Sequence, residues 1–107
     1  MPSSKPMPPR KRLEWRKEAL GELEEAMAWY AERNPDAARR MKAAILAAAH
    51  DLIDPTAPVS GKPGRRPGTL EKVVARPAPF TLVYRPSPAA PEVLQILHVI
   101  HHARDYP

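Results

Sequence analysis

The sequence predicts an α+β domain with the element order β-α-α-β-β-β: an N-terminal strand, an antiparallel helical hairpin and a three-stranded antiparallel meander. Three observations predict it. Two consecutive stretches carry apolar residues at three- and four-residue steps, the period of an amphipathic helix. A single Asn-Pro pair separates them. Behind them come three runs of strand character, each fenced by proline, a residue excluded from helix interiors and central strands. The 15 prolines among 107 residues therefore mark the joints of the fold.

Residues 1–11 (MPSSKPMPPRK) are rich in proline, serine and lysine and read as a disordered basic tail. Residues 12–107 are then a single domain, in keeping with the usual size of one. Leu13, Glu14 and Trp15 alternate as an edge strand would. The first helix is expected over 16–33, with Leu20, Leu23, Met27, Tyr30 and Ala31 on its buried stripe and Glu18, Glu22 and Glu25 on its wet face. Asn34 is a capping residue, Pro35 suits the first helical position, and Asp36 complements the helix dipole. The second helix carries Ala38, Met41, Ile45, Ala48 and Leu52 and should end near Asp54-Pro55.

Residues 55–68 (PTAPVSGKPGRRPG) read as a loop exposing Lys62, Arg65 and Arg66. Strands are expected over 69–76, 80–85 and 92–101. The last is apolar on both faces, as an interior strand would be. The helix pair should cover one face of the sheet and leave the other partly open.

Composition excludes several classes. No cysteine is present, so neither disulfides nor a thiolate metal site can hold the fold. No apolar run approaches the ~18–20 residues of a membrane span, and the basic N-terminus lacks an apolar signal core. The expectation is a cytoplasmic protein with no cofactor and no membrane association. The net charge of +5 is unevenly spread. Residues 1–12 carry four bases and no acid, residues 13–54 six bases and nine acids, and residues 55–107 seven bases and three acids. An acidic middle between basic flanks suits a polarised contact surface better than uniform coating of a phosphate backbone.

At this point the residues resemble a known family. The run LEWRKEALGELEEAMAWYAERNPDAARRMKAAILAAAHDLIDP is similar to the N-terminal half of ParE toxins, of the ParE/RelE superfamily. The later segments GRRPGTLEKVV, FTLVYR and VLQILHVIHHARDYP resemble its second half. The resemblance runs from about Leu13 to Pro107. It implies the toxin of a type II toxin–antitoxin pair, neutralised by a cognate antitoxin. ParE-type members poison DNA gyrase and RelE-type members cut mRNA on the ribosome, and the shared fold does not choose between them. A third reading is a non-toxic relative that serves only as a binding protein. Homodimers and toxin–antitoxin hetero-oligomers are both open, as is DNA binding by the basic tail.

RelE-type nucleases resemble one another in placing an arginine just before the Leu-Val-Tyr of the middle strand. Here that position is Thr81, which cannot stabilise a phosphorane as a guanidinium does. This favours the gyrase reading. Nuclease candidates are Glu71, Arg85, His101, His102, Arg104 and Tyr106, which supply acid–base groups and cations. On a strand, His98 and His102 would point the same way ~13 Å apart with His101 on the other side, so no metal site is expected. Target or antitoxin contacts are expected from Leu20, Met27, Trp29, Tyr30, Arg65, Arg66 and Arg104. The bland alternatives are a core role for Tyr30, half-burial of Trp29 against the second helix, solvation of the loop arginines and a local Arg104–Asp105 ion pair.

Overall fold

Asn34 caps two helices at once. Its backbone N–H donates to Tyr30 O at 2.7 Å and closes α1 (Lys17–Arg33), while its side-chain oxygen accepts the Ala37 N–H at 3.0 Å and opens α2 (Pro35–Asp51). Its extended backbone and the proline that follows reverse the chain in one residue. The computed structural model describes residues 11–57, 61–75 and 78–102. The tail at 1–10, Arg104, Asp105 and Tyr106 lie outside the described residues.

The helical hairpin lies over one face of a mixed sheet. Its strands are β1 (Arg12–Trp15), β2 (Lys62–Pro63), β3 (Leu70–Val73), β4 (Phe80–Pro86) and β5 (Val93–His101), in the order β1-β5-β4-β3-β2. β1 runs parallel to β5, with Leu13 opposite Leu94 and Trp15 opposite Ile96. The other pairings are antiparallel. The expected three-stranded meander is therefore four-stranded, through the added β2, and the expected N-terminal edge strand β1 pairs in parallel with β5. The added strand β2 falls in the segment read as a loop. Gly64 N–H bonds to Thr69 O at 2.8 Å and zips the segment onto β3. Pro63 is tolerated because β2 is an edge strand.

Phe80, Leu82 and Tyr84 of β4 and Leu94, Ile96 and Val99 of β5 face the helices and meet Ala19, Leu23, Ile45, Ala48 and Ala49 in one core. On β5 the alternation changes phase. Tyr84 is opposite Ile96 and Val83 opposite His98, which leaves Leu97 as an extra residue in a β-bulge. Beyond it, Val99 and His101 turn toward the helices.

α1 is rotated from its expected stripe. Ala19 is fully buried, whereas Leu20 is 42% exposed and Ala31 lies in solvent. A small side chain at position 19 lets the helix approach the sheet, and Leu20 stands about 100° round the helix from it. α2 carries the expected stripe, with Ala38, Ile45 and Ala48 buried and Met41 and Leu52 half-buried. It stops three residues before Asp54, and a turn at Leu52–Ile53 takes the chain on.

The face turned away from the helices is less open than expected. Thr81, Val83, Gln95, Ile100 and Glu71 on it are each less than a tenth exposed. Its buried polar members are hydrogen-bonded to groups on neighbouring strands and turns, as described next.

Candidate functional site

β1, β5 and β4 hold Glu14, Gln95 and Arg85 in one register row. Gln95 Nε2 donates to Glu14 Oε1 at 2.8 Å, and Arg85 Nε donates to Gln95 Oε1 at 3.0 Å. The adjacent row runs Lys62, Glu71, Val83, His98 across β2, β3, β4 and β5. Glu71 Oε2 accepts the backbone N–H of Arg65 at 3.0 Å, which folds the β2–β3 turn back onto the sheet. In the third row Thr81 sits between Val73 and Ile100. Its hydroxyl shares a 2.9 Å hydrogen bond with His102 Nε2. The position at which RelE-type nucleases carry an arginine is thus a buried threonine tied to a histidine.

Among the described residues, the four nuclease candidates Glu71, Arg85, His101 and His102 are not all gathered into one constellation. Glu71, Arg85 and His102 belong to the face away from the helices. His101 belongs to the other: it is opposite Phe80, their ring centroids are 5.0 Å apart, and its Nε2 is 2.6 Å from Tyr30 Oη. The bulge at Leu97 is the cause, since it re-phases the end of β5. Among the described residues no group of three His, Asp or Glu side chains is placed to hold a metal ion.

α1 supplies the rest. Glu22, expected on the wet face, reaches the edge of β5 where β1 has ended. Its Oε1 accepts the Val99 N–H at 3.0 Å and lies 3.2 Å from His98 Nδ1. A carboxylate here takes the place of the missing strand, since the Val99 N–H would otherwise face no backbone partner. Sequence reasoning missed Glu22 and Gln95. The available signals were the position of Glu22 between Ala19 and Ala26 on one helical face and the lone polar residue inside the apolar run of β5.

The expected contact residues divide into two places. Met27 and Tyr30 are half-buried against the core, while Leu20 and Trp29 are exposed on the hairpin. Trp29 is 48% exposed. It packs edge-on against Tyr30 at 4.9 Å, and the Arg33 guanidinium lies 3.7 Å over its ring. Both of these partners are on its own helix. Leu46 on α2 joins these exposed apolar residues. Arg65 and Arg66 stand at the opposite end of the sheet, exposed at the β2–β3 turn.

Two groups have displaced pKa values. The Thr56 hydroxyl and backbone N–H donate to Asp54 and hold its carboxyl below the usual range. Burial pushes the Tyr84 phenol up.

Three comparisons bear on this architecture. Residues 13–106 match the family model for the ParE toxin of the type II toxin–antitoxin system parDE. The chain is 38% identical over 98 residues to "Putative toxin Y4kP" of Sinorhizobium fredii, covering 92% of this chain and 95% of that one. Among solved structures it resembles the chromosomal ParDE toxin–antitoxin system from P. aeruginosa, with a TM-score of 0.72 and 22% identity over 86% of this chain and 96% of that one. It also resembles the RelBE2 toxin–antitoxin complex from Mycobacterium tuberculosis, with a TM-score of 0.55 and 25% identity over 87% and 99% of the two chains. None of the described helices is long and apolar enough to cross a membrane. With the helical hairpin, the sheet and the match over nearly its whole length in agreement, this chain belongs to the ParE toxin family of type II toxin–antitoxin systems.

Proposed function

We propose that this toxin acts in the cytoplasm by binding and poisoning DNA gyrase, and that a cognate antitoxin neutralises it. The observation that carries the reading is the state of the sheet where a nuclease would need its chemistry. Thr81 stands in place of the arginine, and His101 is turned to the opposite face and bonded to Tyr30. Cleavage at a ribose 2′-hydroxyl needs a base, an acid and a cation converging on one phosphate. Among the described candidates His101 is parted by the sheet from Glu71, Arg85 and His102, so the four do not converge on one phosphate. Poisoning through protein contacts makes no such demand.

The antitoxin reading draws on the toxin–antitoxin systems among the structural neighbours and on the exposed apolar residues of the hairpin. Leu20, Trp29 and Leu46 are exposed apolar residues of the kind that protein interfaces use, and Met27 and Tyr30 are half-buried against the core. An amphipathic antitoxin segment that orders on binding fits this surface.

A ribonuclease alternative has one observation in its favour: Glu71, Arg85 and His102 share a face. Supercoiling and DNA-cleavage assays with purified gyrase, run beside cell-free translation, decide between the two. The gyrase reading predicts lost supercoiling and trapped cleaved DNA with translation intact. Cut mRNA and untouched gyrase would reverse it. A toxin that leaves growth unchanged when induced without its antitoxin would support the third reading, a non-toxic binding protein.

A further inference from the structure

The helical hairpin and the β2–β4 end of the sheet differ in charge. Between positions 55 and 91 the chain has six bases (Lys62, Arg65, Arg66, Lys72, Arg76 and Arg85) and one acid, Glu71. Glu71 is buried and accepts the backbone N–H of Arg65. Lys62, Arg65 and Arg66 are exposed on the two-stranded ribbon formed by β2, β3 and their turn.

The ribbon is held in shape. Gly64 N–H donates to Thr69 O at 2.8 Å, and Thr69 N–H and Oγ1–H both donate to Arg66 O, at 3.2 and 2.7 Å. Gly61 and Gly68 take positive φ values of 122° and 78°, which let the chain turn at each end. Pro63 and Pro67 stiffen it further. Cations on a preformed turn lose less freedom on binding than cations on a mobile loop.

We infer that this ribbon is a contact for the phosphate backbone of duplex DNA. The inference deepens the gyrase reading, on which the source of the DNA rests. Three features favour duplex DNA over other acidic partners. The β2–β3 turn lies at the edge of the five-stranded sheet, where it can meet the phosphates that border the wide B-form major groove, whereas the A-form RNA major groove is narrow and deep. Positions 55–79 hold no aromatic residue, so the ribbon lacks the stacking platforms that single strands use. No large apolar side chain is exposed from Gly61 to Thr69 to serve as a protein hot spot. Those anchors lie on the helices, with Val73 at the far end of β3.

The test measures binding of the full chain to a fluorescent random-sequence DNA duplex by anisotropy across a salt series. Four proteins are compared: wild type, Arg65→Ala/Arg66→Ala, Arg65→Lys/Arg66→Lys, and the charge-matched control Arg40→Ala/Lys42→Ala on α2. Thermal melts confirm that each is folded. The expected result is salt-dependent duplex binding that the ribbon alanine variant weakens by about tenfold, with its log–log salt slope reduced by about 2. The lysine variant and the α2 control stay within about twofold of wild type. No duplex binding, equal weakening by the α2 control, or tighter binding of single-stranded RNA than of duplex would overturn the inference. Gyrase inhibition read on the same proteins keeps the two ideas apart. Wild type that binds duplex without inhibiting gyrase removes the gyrase reading and leaves the ribbon; wild type that inhibits gyrase without binding duplex does the reverse.

Discussion

The two faces of the sheet are stabilised by different physics. Toward the helices, Phe80, Leu82 and Ile96 are fully buried and packed on Leu23, Ile45 and Ala49. Burying an apolar side chain of this size contributes roughly 1.5–3 kcal/mol and is insensitive to fine geometry. On the far face the buried residues include Glu71, Thr81 and Gln95, and each is matched to a partner on an adjacent strand or turn. A hydrogen bond nets little, but leaving a buried partner unsatisfied is costly. The first face tolerates exchange of like for like. The second is correct only in one register, because a one-residue slip moves every side chain to the other side.

The largest expected effect comes from the apolar face. Phe80→Ala should cost about 3–5 kcal/mol in urea denaturation, enough to unfold much of the protein. An effect below about 1 kcal/mol would mean that the core is centred elsewhere. At the sheet edge, Glu22→Ala should cost roughly 1–3 kcal/mol and speed hydrogen exchange at the Val99 amide. Unchanged exchange there would remove the carboxylate from its role as a substitute strand. On the far face, Gln95→Leu should cost roughly 1 kcal/mol by breaking both links of the Glu14–Gln95–Arg85 row.

Titration separates the faces as well. The Tyr84 phenol lies on the apolar side, and burial raises its folded pKa above the ordinary value of 10.0. Its contribution is intact below about pH 10 and is lost as pH rises through the folded value, because the unfolded chain ionises first. Tyr84→Phe should flatten the alkaline decline in melting temperature. The smallest effect belongs to the exposed turn after α2. Asp54 has a lowered pKa, so its bond to Thr56 contributes above the ordinary value of 3.8 and is lost as pH falls through the folded one. Thr56→Val should leave the urea midpoint at neutral pH the least changed of these variants, because Asp54 is solvent-exposed.

The same contrast explains what the sequence made legible. The helices, their joint at Asn34 and the strand character of residues 80–85 and 92–101 follow from periodicity and capping, which are local. β1 pairs in parallel with the last strand, and no local signal carries that information. The Leu97 bulge was hidden because β5 is apolar on both faces, so a change of phase leaves no mark in the pattern. Leu20 was misplaced because α1 has to satisfy both α2 and the sheet, and the closest approach selected the smaller Ala19. The alternation that parts His101 from His102 was legible in the sequence, but which of the two shares a face with Glu71 depends on the Leu97 bulge and emerges only in three dimensions.

If toxicity depends on contacts rather than on acid–base groups, removing those groups while keeping their hydrogen bonds should change nothing. Growth inhibition after induction without antitoxin, for a Glu71→Gln/His102→Asn variant beside wild type, measures this directly. The account predicts equal loss of colony formation from equal amounts of folded protein. A folded variant that has lost its toxicity would contradict it and place the chemistry on the far face of the sheet.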